Sequence, residues 1–463
     1  MTMDSILEKA LKKITPSEEE RKELEEDVKK ILKTTEEIIR PKGLGHTLSG
    51  SIIRDTWLPH KKDFDLFILF PENAPREELE KQGLLIGKTI TRRMKGSYVI
   101  AYAEHPYTRA VILGYDVDIV PCYSVKSAEK IKSAVDRTPF HNRWIQKNFP
   151  LRLSGDVRLL KQFTKSMGVY GSDTKVQGFS GYLCEILVAN FGSLKNLLKS
   201  ASKWKTDVYI DIEKYHKELP EDLKRKFKNN QLIVIDPVDK NRNVAAALSP
   251  ENFARFVEAC QAFLKKPSGK FFSEEKSVNL KQLENSIKKR ETVLLAIKFK
   301  SPEVIPDILF PQLRKFGKRL KEVLEDEEFQ VFGNDVYGNG YSMLLLELNG
   351  EELPKVKKIE GPPIDVKDRS DEFTKKYKKI GKVWIEENKC FSEIKREFIK
   401  PEQLLRETLK GSFKKLRERG VPSYIAKSIR KRYQFLNEKQ IISLAKKDKE
   451  FALFLKEYVN KVC

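Results

Sequence analysis

LSGSIIRDTWLPHKKDFDLFILF, residues 48–70, and VILGYDVDIVPCY, residues 111–123, decide how this chain is read. The run DFDLFILF is rich in Phe, Ile and Leu and predicts a strand. Side chains alternate across a strand, so Asp63 and Asp65 share one face while Phe64 and Leu66 take the other. The same spacing pairs Asp116 with Asp118, opposite Val117 and Ile119. Neighbouring carboxylates repel unless a hard cation lies between them, and Mg²⁺ favours carboxylate oxygens together with substrate phosphates. Gly50-Ser51 reads as a turn opening a short helix, whose N–H groups would seat a phosphate. A lone Asp-x-Asp is ordinarily a solvated face and a lone Gly-Ser ordinarily a turn. A Gly-Ser turn, Asp-x-Asp and a third carboxylate, the latter two on apolar strands, point together to two-metal nucleotidyl transfer.

Working outward, residues 4–40 carry helical spacing, with Ser17 and Glu20 forming a capping box. EELEKQGLLIGKTITRRM predicts a helix, and YVIAYAEH and RAVILGYDVDIVP predict strands. These make a small mixed sheet with helices on one face. Residues 140–200 read as helices, IVIDPV as a short strand, and Ser249 as the cap of a further helix. A turn at KKPSGK, 265–270, marks a boundary. Beyond it come a strand TVLLAIKFK, a helix LFPQLRKFGKRLKEVLEDEEF and a hairpin around Gly-Asn-Gly, suggesting an open-faced α+β sandwich. The remainder reads as helical and basic.

At 463 residues the chain predicts two to four domains. Lys and Arg total 89 against 67 Asp and Glu, a net charge of +22, which favours a polyanionic partner such as nucleic acid. A Lys/Glu-rich surface of the thermophile kind fits the 34% charged residues equally. No apolar run approaches the roughly 18 residues of a membrane span, and no signal-like segment follows Met1. The five cysteines, at 122, 184, 260, 390 and 463, have no zinc-ligand spacing, so free thiols in a reducing cytoplasm are expected.

The two carboxylate strands resemble the nucleotidyltransferase superfamily that includes DNA polymerase beta and the poly(A) polymerases. AYAEHPYTRAVI, VDIVPCY, IKSAVDRTPFHNRW, VRLLKQFTKSMGVYG, VQGFSGYLCEIL and IDPVDKNRNVAAALS resemble, in that order, the archaeal class I CCA-adding enzymes, the tRNA nucleotidyltransferases. These strings fall between about residues 45 and 250, and the C-terminal two-fifths resembles the family more loosely.

The resemblance implies an α+β chain. It would have a polymerase beta-like nucleotidyltransferase head over residues 1–140, a helical neck with base recognition over 141–270, and a tRNA-binding α+β body and tail over 271–463. It implies addition of C, C and A to a tRNA 3′ end from CTP and ATP, with two Mg²⁺ ions. A poly(A) or terminal RNA nucleotidyltransferase is the alternative enzyme, and an RNA-binding protein with a degenerate head the alternative non-enzyme. The partners are tRNA, CTP and ATP, no membrane is expected, and a homodimer is compatible with the sequence.

Asp63, Asp65 and Asp118 are the expected metal ligands, although the family often has Glu at the first of these positions. Gly50 and Ser51 would meet the β- and γ-phosphates, with Arg54 adding charge from the same helix face. Thr138, His141, Lys161 and Tyr170 are implied phosphate and sugar contacts, and His105 a neighbour of the ribose or triphosphate. Arg242 would read the base. Its rigid fork of donors suits the acceptor edges of cytosine and adenine and opposes the N–H edges of uracil and guanine. A salt bridge from Arg242 to Asp236 or Asp239 is the alternative for that side chain.

Overall fold

The computed structural model describes residues 2–59, 63–102, 104–274 and 277–461, and divides into two compact units, 1–274 and 275–463. In the first unit, α1 (Met3–Ile14) leads into α2 (Glu18–Ile39), which starts with the Ser17–Glu20 capping box expected from the sequence. A mixed five-stranded sheet follows, built from β1 (Gly45–Ser49), β2 (Asp63–Pro71), β3 (Ser97–Tyr102), β4 (Pro106–Ile112) and β5 (Tyr115–Ser124). Its order is β1-β2-β5-β4-β3. β2 and β5 run parallel and the other pairs antiparallel. α3 (Arg76–Arg93) connects β2 to β3, as the sequence predicts.

The two faces of this sheet differ because its strands alternate. Phe64, Leu66 and Ile68 of β2 join Val117 and Ile119 of β5 in a core with Leu79, Ile86 and Ile90 of α3. On the opposite face Phe67, Tyr107, Val120 and Cys122 form a smaller apolar cluster. Asp63, Asp65 and Asp118 share the parity of this second face.

The remaining elements of the unit are α4 (Thr138–Asn148), α5 (Ser154–Ser166), α6 (Gly181–Phe191), α7 (Leu194–Ala201), β6 (Val208–Ile210), α8 (Glu221–Phe227), β7 (Leu232–Asp236), β8 (Asp239–Asn243) and α9 (Pro250–Lys265). Their core gathers Leu160, Phe163, Leu183, Leu187 and Phe256, and it also takes Ile6, Leu7 and Ala10 of α1. The chain past the Pro-Ser-Gly turn stays packed here, because Phe271 stacks on Phe163 with ring centroids 5.9 Å apart.

The second unit comprises α10 (Leu280–Lys288), β9 (Val293–Lys300), α11 (Pro306–Asp326), β10 (Val331–Asn339), β11 (Tyr341–Leu348), β12 (Val356–Pro363), α12 (Lys367–Tyr377), β13 (Gly381–Glu386), β14 (Lys389–Lys395), α13 (Pro401–Thr408), α14 (Phe413–Glu418), α15 (Ser423–Lys431), β15 (Tyr433–Asn437), α16 (Glu438–Lys447) and α17 (Lys449–Lys461). The hairpin closes at Gly340, whose φ of 67° lies in the left-handed region open to glycine.

Four sequence expectations are corrected. Residues 51–55 are turns rather than a helix. The amide of Thr56 donates to the Ser51 carbonyl and that of Asp55 to Ile52, a Schellman-type closure with Asp55 at φ 50° that ends the turn at once. RAVILGYDVDIVP is two strands, β4 and β5, reversed at Leu113-Gly114, both at positive φ. The C-terminal four-stranded sheet, β10-β11-β9-β15, is not open-faced: Leu295 and Ile297 enter one core, Leu294 and Ala296 another. Continuous apolar runs such as MLLLEL mark strands covered on both sides. The following region is not all helical either, since β12, β14 and β13 form a three-stranded sheet. Its strands carry many exposed lysines and glutamates, which hide their period.

Cys122, Cys184, Cys260 and Cys390 are free and buried, as expected, while Cys463 lies outside the described residues. Among the described residues no helix is long and apolar enough to cross a membrane.

α3 lies close against the sheet through two glycines one turn apart. A Cβ on Gly83 would fall 2.5 Å from the Pro121 Cβ, and one on Gly87 2.3 Å from the Thr108 Oγ1. Ala is the better intrinsic helix former by about 1 kcal/mol. Gly87→Ala should nevertheless destabilise by about 1–3 kcal/mol through overpacking, measured by urea unfolding. A stabilised variant would show that α3 has slack over β4.

Candidate active site

The parallel pairing of β2 with β5 sets Asp63 opposite Asp116 and Asp65 opposite Asp118. β1 brings Ser49 opposite Asp65, so the turn at Gly50 follows directly. Gly50 has φ 106°, and a Cβ there would lie 3.7 Å from the Phe64 Cα and 4.0 Å from Asp65 Oδ2. The turn therefore lies against the strand that carries the first two carboxylates, and this close seat suits glycine.

Arg109 on β4 is the Cα partner of Asp118 and grips it with both ends of its fork, Nε to Oδ1 and Nη2 to Oδ2, each at 2.9 Å. Its Nη2 also donates to the Tyr107 hydroxyl at 2.7 Å. Burial and the Asp118 charge push that hydroxyl up to about 12. Among the described residues no three His, Cys, Asp or Glu side chains are already gathered as an ion site. The donor set nonetheless fits a hard divalent ion, being carboxylates in register on adjacent strands, one of them already drawing a cationic fork.

Behind the Gly-Ser turn is a buried polar network that the sequence did not reveal. Glu185 of α6, 1% exposed, accepts from Arg54 Nη1 and, at 2.7 Å, from the Thr56 hydroxyl. Lys161 Nζ of α5 stands 3.6 Å from Glu185 and donates to the Thr56 carbonyl and hydroxyl at 3.0 Å. Asn142 of α4 accepts from Arg54 Nη2 at 2.6 Å and from Ser49 Oγ at 3.0 Å, and donates to the Leu48 carbonyl at 2.7 Å. Burial alone would raise the Glu185 carboxyl; Arg54, Lys161 and Thr56 outweigh it and hold it below the usual range. Arg54 is thus 8% exposed and paired with Glu185, and it stands in a turn rather than on the helix face the sequence predicts. Lys161 is likewise buried, and the Tyr170 hydroxyl lies near it, since a Cβ on Gly181 would meet both within 3.5 Å. Burial raises the Tyr170 hydroxyl, with smaller contributions from Cys184, Glu185 and Asp63.

A second network lies across α4, α6 and β7. His141 Nε2 donates to Asp236 Oδ2 at 2.9 Å, and Arg242 Nη1 donates to the same oxygen at 2.6 Å. Tyr182 stacks on the His141 ring at 4.1 Å. Burial lowers His141 more than Asp236 raises it, so the imidazole stays neutral at neutral pH and Nε2 carries its proton. Arg242 forms the Asp236 salt bridge weighed as its alternative, and its side chain is still 36% exposed. Asp239 pairs with Arg137 instead, at 3.2 Å. Thr138 opens α4, partly exposed, one residue after that pair.

His105 falls apart from these groups. It is 4% exposed and precedes β4 four residues before Arg109, about 13 Å along a strand at 3.3 Å per residue. Burial lowers its pKa, and Asp136, Glu80 and Arg76 are the charges that act on it. Its place beside the ribose or triphosphate stays an expectation from the resemblance.

The chain matches family models along most of its length. They are a nucleotidyltransferase domain over residues 25–141, the second domain of tRNA nucleotidyltransferase over 155–273, and the C-terminal domain of CCA-adding enzyme over 290–438. A CCA-adding enzyme of Methanocaldococcus jannaschii is 40% identical over 433 residues, 92% of this chain and 94% of that protein. One from Methanosarcina mazei is 37% identical over 458 residues, 97% of each. Among solved structures, a cytoplasmic RNA terminal U-transferase aligns at 13% identity and a TM-score of 0.46, covering 59% of this chain and 98% of that one.

Removing the Glu185 carboxylate would take from Arg54 and Lys161 the buried negative charge they share. Glu185→Ala should cost about 3–5 kcal/mol of stability in denaturant unfolding at neutral pH. The depressed carboxyl contributes stability above its unfolded pKa and loses it as pH falls through the folded one. The wild-type advantage over the variant should therefore shrink in acid. A pH-independent difference would locate the loss in packing.

Proposed function

The chain belongs to the CCA-adding enzyme family, and from that membership we propose how its own residues divide the work. It is a tRNA nucleotidyltransferase, adding C, C and A to the tRNA 3′ end with CTP and ATP as donors. Nucleotidyltransferases of this superfamily typically use divalent metal ions. In our reading Asp63, Asp65 and Asp118 would hold two Mg²⁺ ions. When bound, these ions supply acidity to the RNA 3′-hydroxyl and offset charge on the triphosphate and departing pyrophosphate. The observation that carries this reading is the β2–β5 register, which brings Asp65 level with Asp118 beside the Gly50 turn. Arg109, which holds both Asp118 oxygens, would orient that carboxylate for a metal, since each oxygen keeps a second lone pair.

Gly50 and Ser51 would receive the β- and γ-phosphates on backbone N–H groups. Arg54 fixes that turn from behind through Glu185 and Asn142. Thr138, His141, Lys161 and Tyr170 surround the nucleotide on the side of the helical domain. His141 and Lys161 would act chiefly through the partners they already hold, Asp236 and Thr56. Asp236 anchors one end of Arg242, so the remaining donors of that fork can meet the acceptor edge of cytosine or adenine. The salt bridge then serves base reading as an orienting contact. A cytoplasmic location accords with the free, buried thiols.

Incubating the protein with a tRNA lacking its 3′ CCA, Mg²⁺ and each nucleotide in turn tests the activity. Two C additions followed by one A, then arrest, are expected. Continued A addition would instead identify a poly(A)-type enzyme, and no addition a degenerate head. Asp118→Ala should abolish both C and A addition while tRNA affinity stays within a few-fold. More than about a tenth of the wild-type rate would remove Asp118 from the metal site. Arg242→Ala should narrow the CTP:UTP ratio of kcat/KM, by roughly 1–3 kcal/mol of discrimination by analogy with bidentate base readout. An unchanged ratio would show that Arg242 does not read the base.

A further inference from the structure

Tyr182 and Glu185 lie one turn apart on the same face of α6, and each meets a different charged network. Glu185 holds Arg54 behind the Gly-Ser turn. Tyr182 turns to the network around Asp236. Its ring stacks on the His141 imidazole, with centroids 4.1 Å apart and 29° between the planes. The Arg54 guanidinium carbon stands 5.8 Å from the same ring. The Tyr182 hydroxyl points at Asp236 Oδ1 from 3.5 Å, the long limit of a hydrogen bond. Burial, and then the Asp236 charge, raise that hydroxyl, so it stays protonated and can only donate there.

Taken alone, a half-buried tyrosine beside an apolar core is ordinary packing, and Tyr182 does border that core. Its other neighbours are the polar groups that orient Arg242. The torsion that turns an imidazole about its bond to the chain is broad, so hydrogen bonding alone leaves the ring room to swing. A flat face stacked against it removes that freedom and keeps Nε2 aimed at Asp236 Oδ2, the oxygen that also receives Arg242. Asp236 is fully buried, so water does not replace a donor that swings away.

We propose that Tyr182 is a positioning residue for base choice. Its ring locks His141 on Asp236, and α6 thereby fixes the Asp236–Arg242 arm relative to the Gly-Ser turn that Glu185 holds. This deepens, and rests on, the reading that Arg242 meets the base.

Tyr182→Leu and Tyr182→Met remove the ring face and fill its space differently. Tyr182→Phe keeps the ring. Phe191→Leu, at the far end of α6 where Phe191 meets Trp204 at 6.2 Å, controls for general loosening of the helix. Thermal melting selects the folded variants, and kcat/KM for CTP and UTP is measured on a tRNA lacking its 3′ CCA. Loss of the ring should narrow the CTP:UTP ratio by roughly fivefold or more, the lower end of what a bidentate base contact supplies. Tyr182→Phe should stay within about twofold of wild type, because a hydroxyl at the long limit contributes little. Phe191→Leu should leave the ratio unaltered. Adding Arg242→Ala to Tyr182→Leu or Tyr182→Met should narrow the ratio no further than Arg242→Ala alone, since both changes act through one arm. An unchanged ratio without the ring, an equal narrowing in Phe191→Leu or Tyr182→Phe, or additive losses would each overturn the role of Tyr182 while leaving Arg242 as the base reader. An unchanged ratio in Arg242→Ala itself would remove the base reader, and Tyr182's role with it.

Discussion

A buried carboxylate joins the two halves of the catalytic unit. Glu185 comes from the helical domain, yet the groups it satisfies include Arg54 and Thr56 from the segment that follows the Gly-Ser turn. An ionised carboxylate at 1% exposure is tolerable only because a guanidinium, a hydroxyl and an ammonium surround it. The two cations share that one buried carboxylate, which ties them together. The turn after β1 is too short to be a helix that holds its own shape. It takes its position from Glu185, Asn142 and Lys161, and through them from α6, α4 and α5. The Gly-Ser turn is thus held by the helical part of the unit rather than by the strand that precedes it.

Charge is managed differently on the open sheet face. Asp65 and Asp118 are brought level by backbone register, which no side-chain preference could overrule without breaking a parallel pair of nine residue contacts. The repulsion this creates is met by Arg109 from the neighbouring strand. The surroundings of Asp236 follow the same rule. Asp236 is fully buried between a neutral histidine and an arginine, and it orients both. In each place a carboxylate has a cationic or N–H partner, and the partner's freedom to move decides whether the site is structural or open to substrate. Arg54 is sealed in; Arg109 and Arg242 retain exposure.

Much of the fold was legible because local rules act over a few residues. The capping box at Ser17, the strand DFDLFILF, the helix over residues 76–93 and the Ser249 cap all follow from patterns within one or two turns. Legibility failed where two rules competed. Gly50-Ser51 begins like a helix, but Asp55 turns left-handed and closes it. A continuous apolar stretch concealed the Leu113-Gly114 reversal because the residues on either side are equally strand-forming. The strands around residues 356–395 bury little on their outer face, so their lysines and glutamates read as helical charge runs.

The sequence by itself determined the chemistry's raw material: three aspartates on apolar strands, a Gly-Ser turn beside them, a basic chain and Arg242 in DPVDKNRNVAA. Only the tertiary structure decided which of these groups are spent inside the protein. Arg54 and Glu185 are 131 residues apart in the chain, and His141 and Asp236 are 95 apart. No periodicity or propensity reaches over such distances. Which carboxylate meets which cation depends on how helices pack, and the cost of leaving a buried charge unmatched then makes that pairing obligatory.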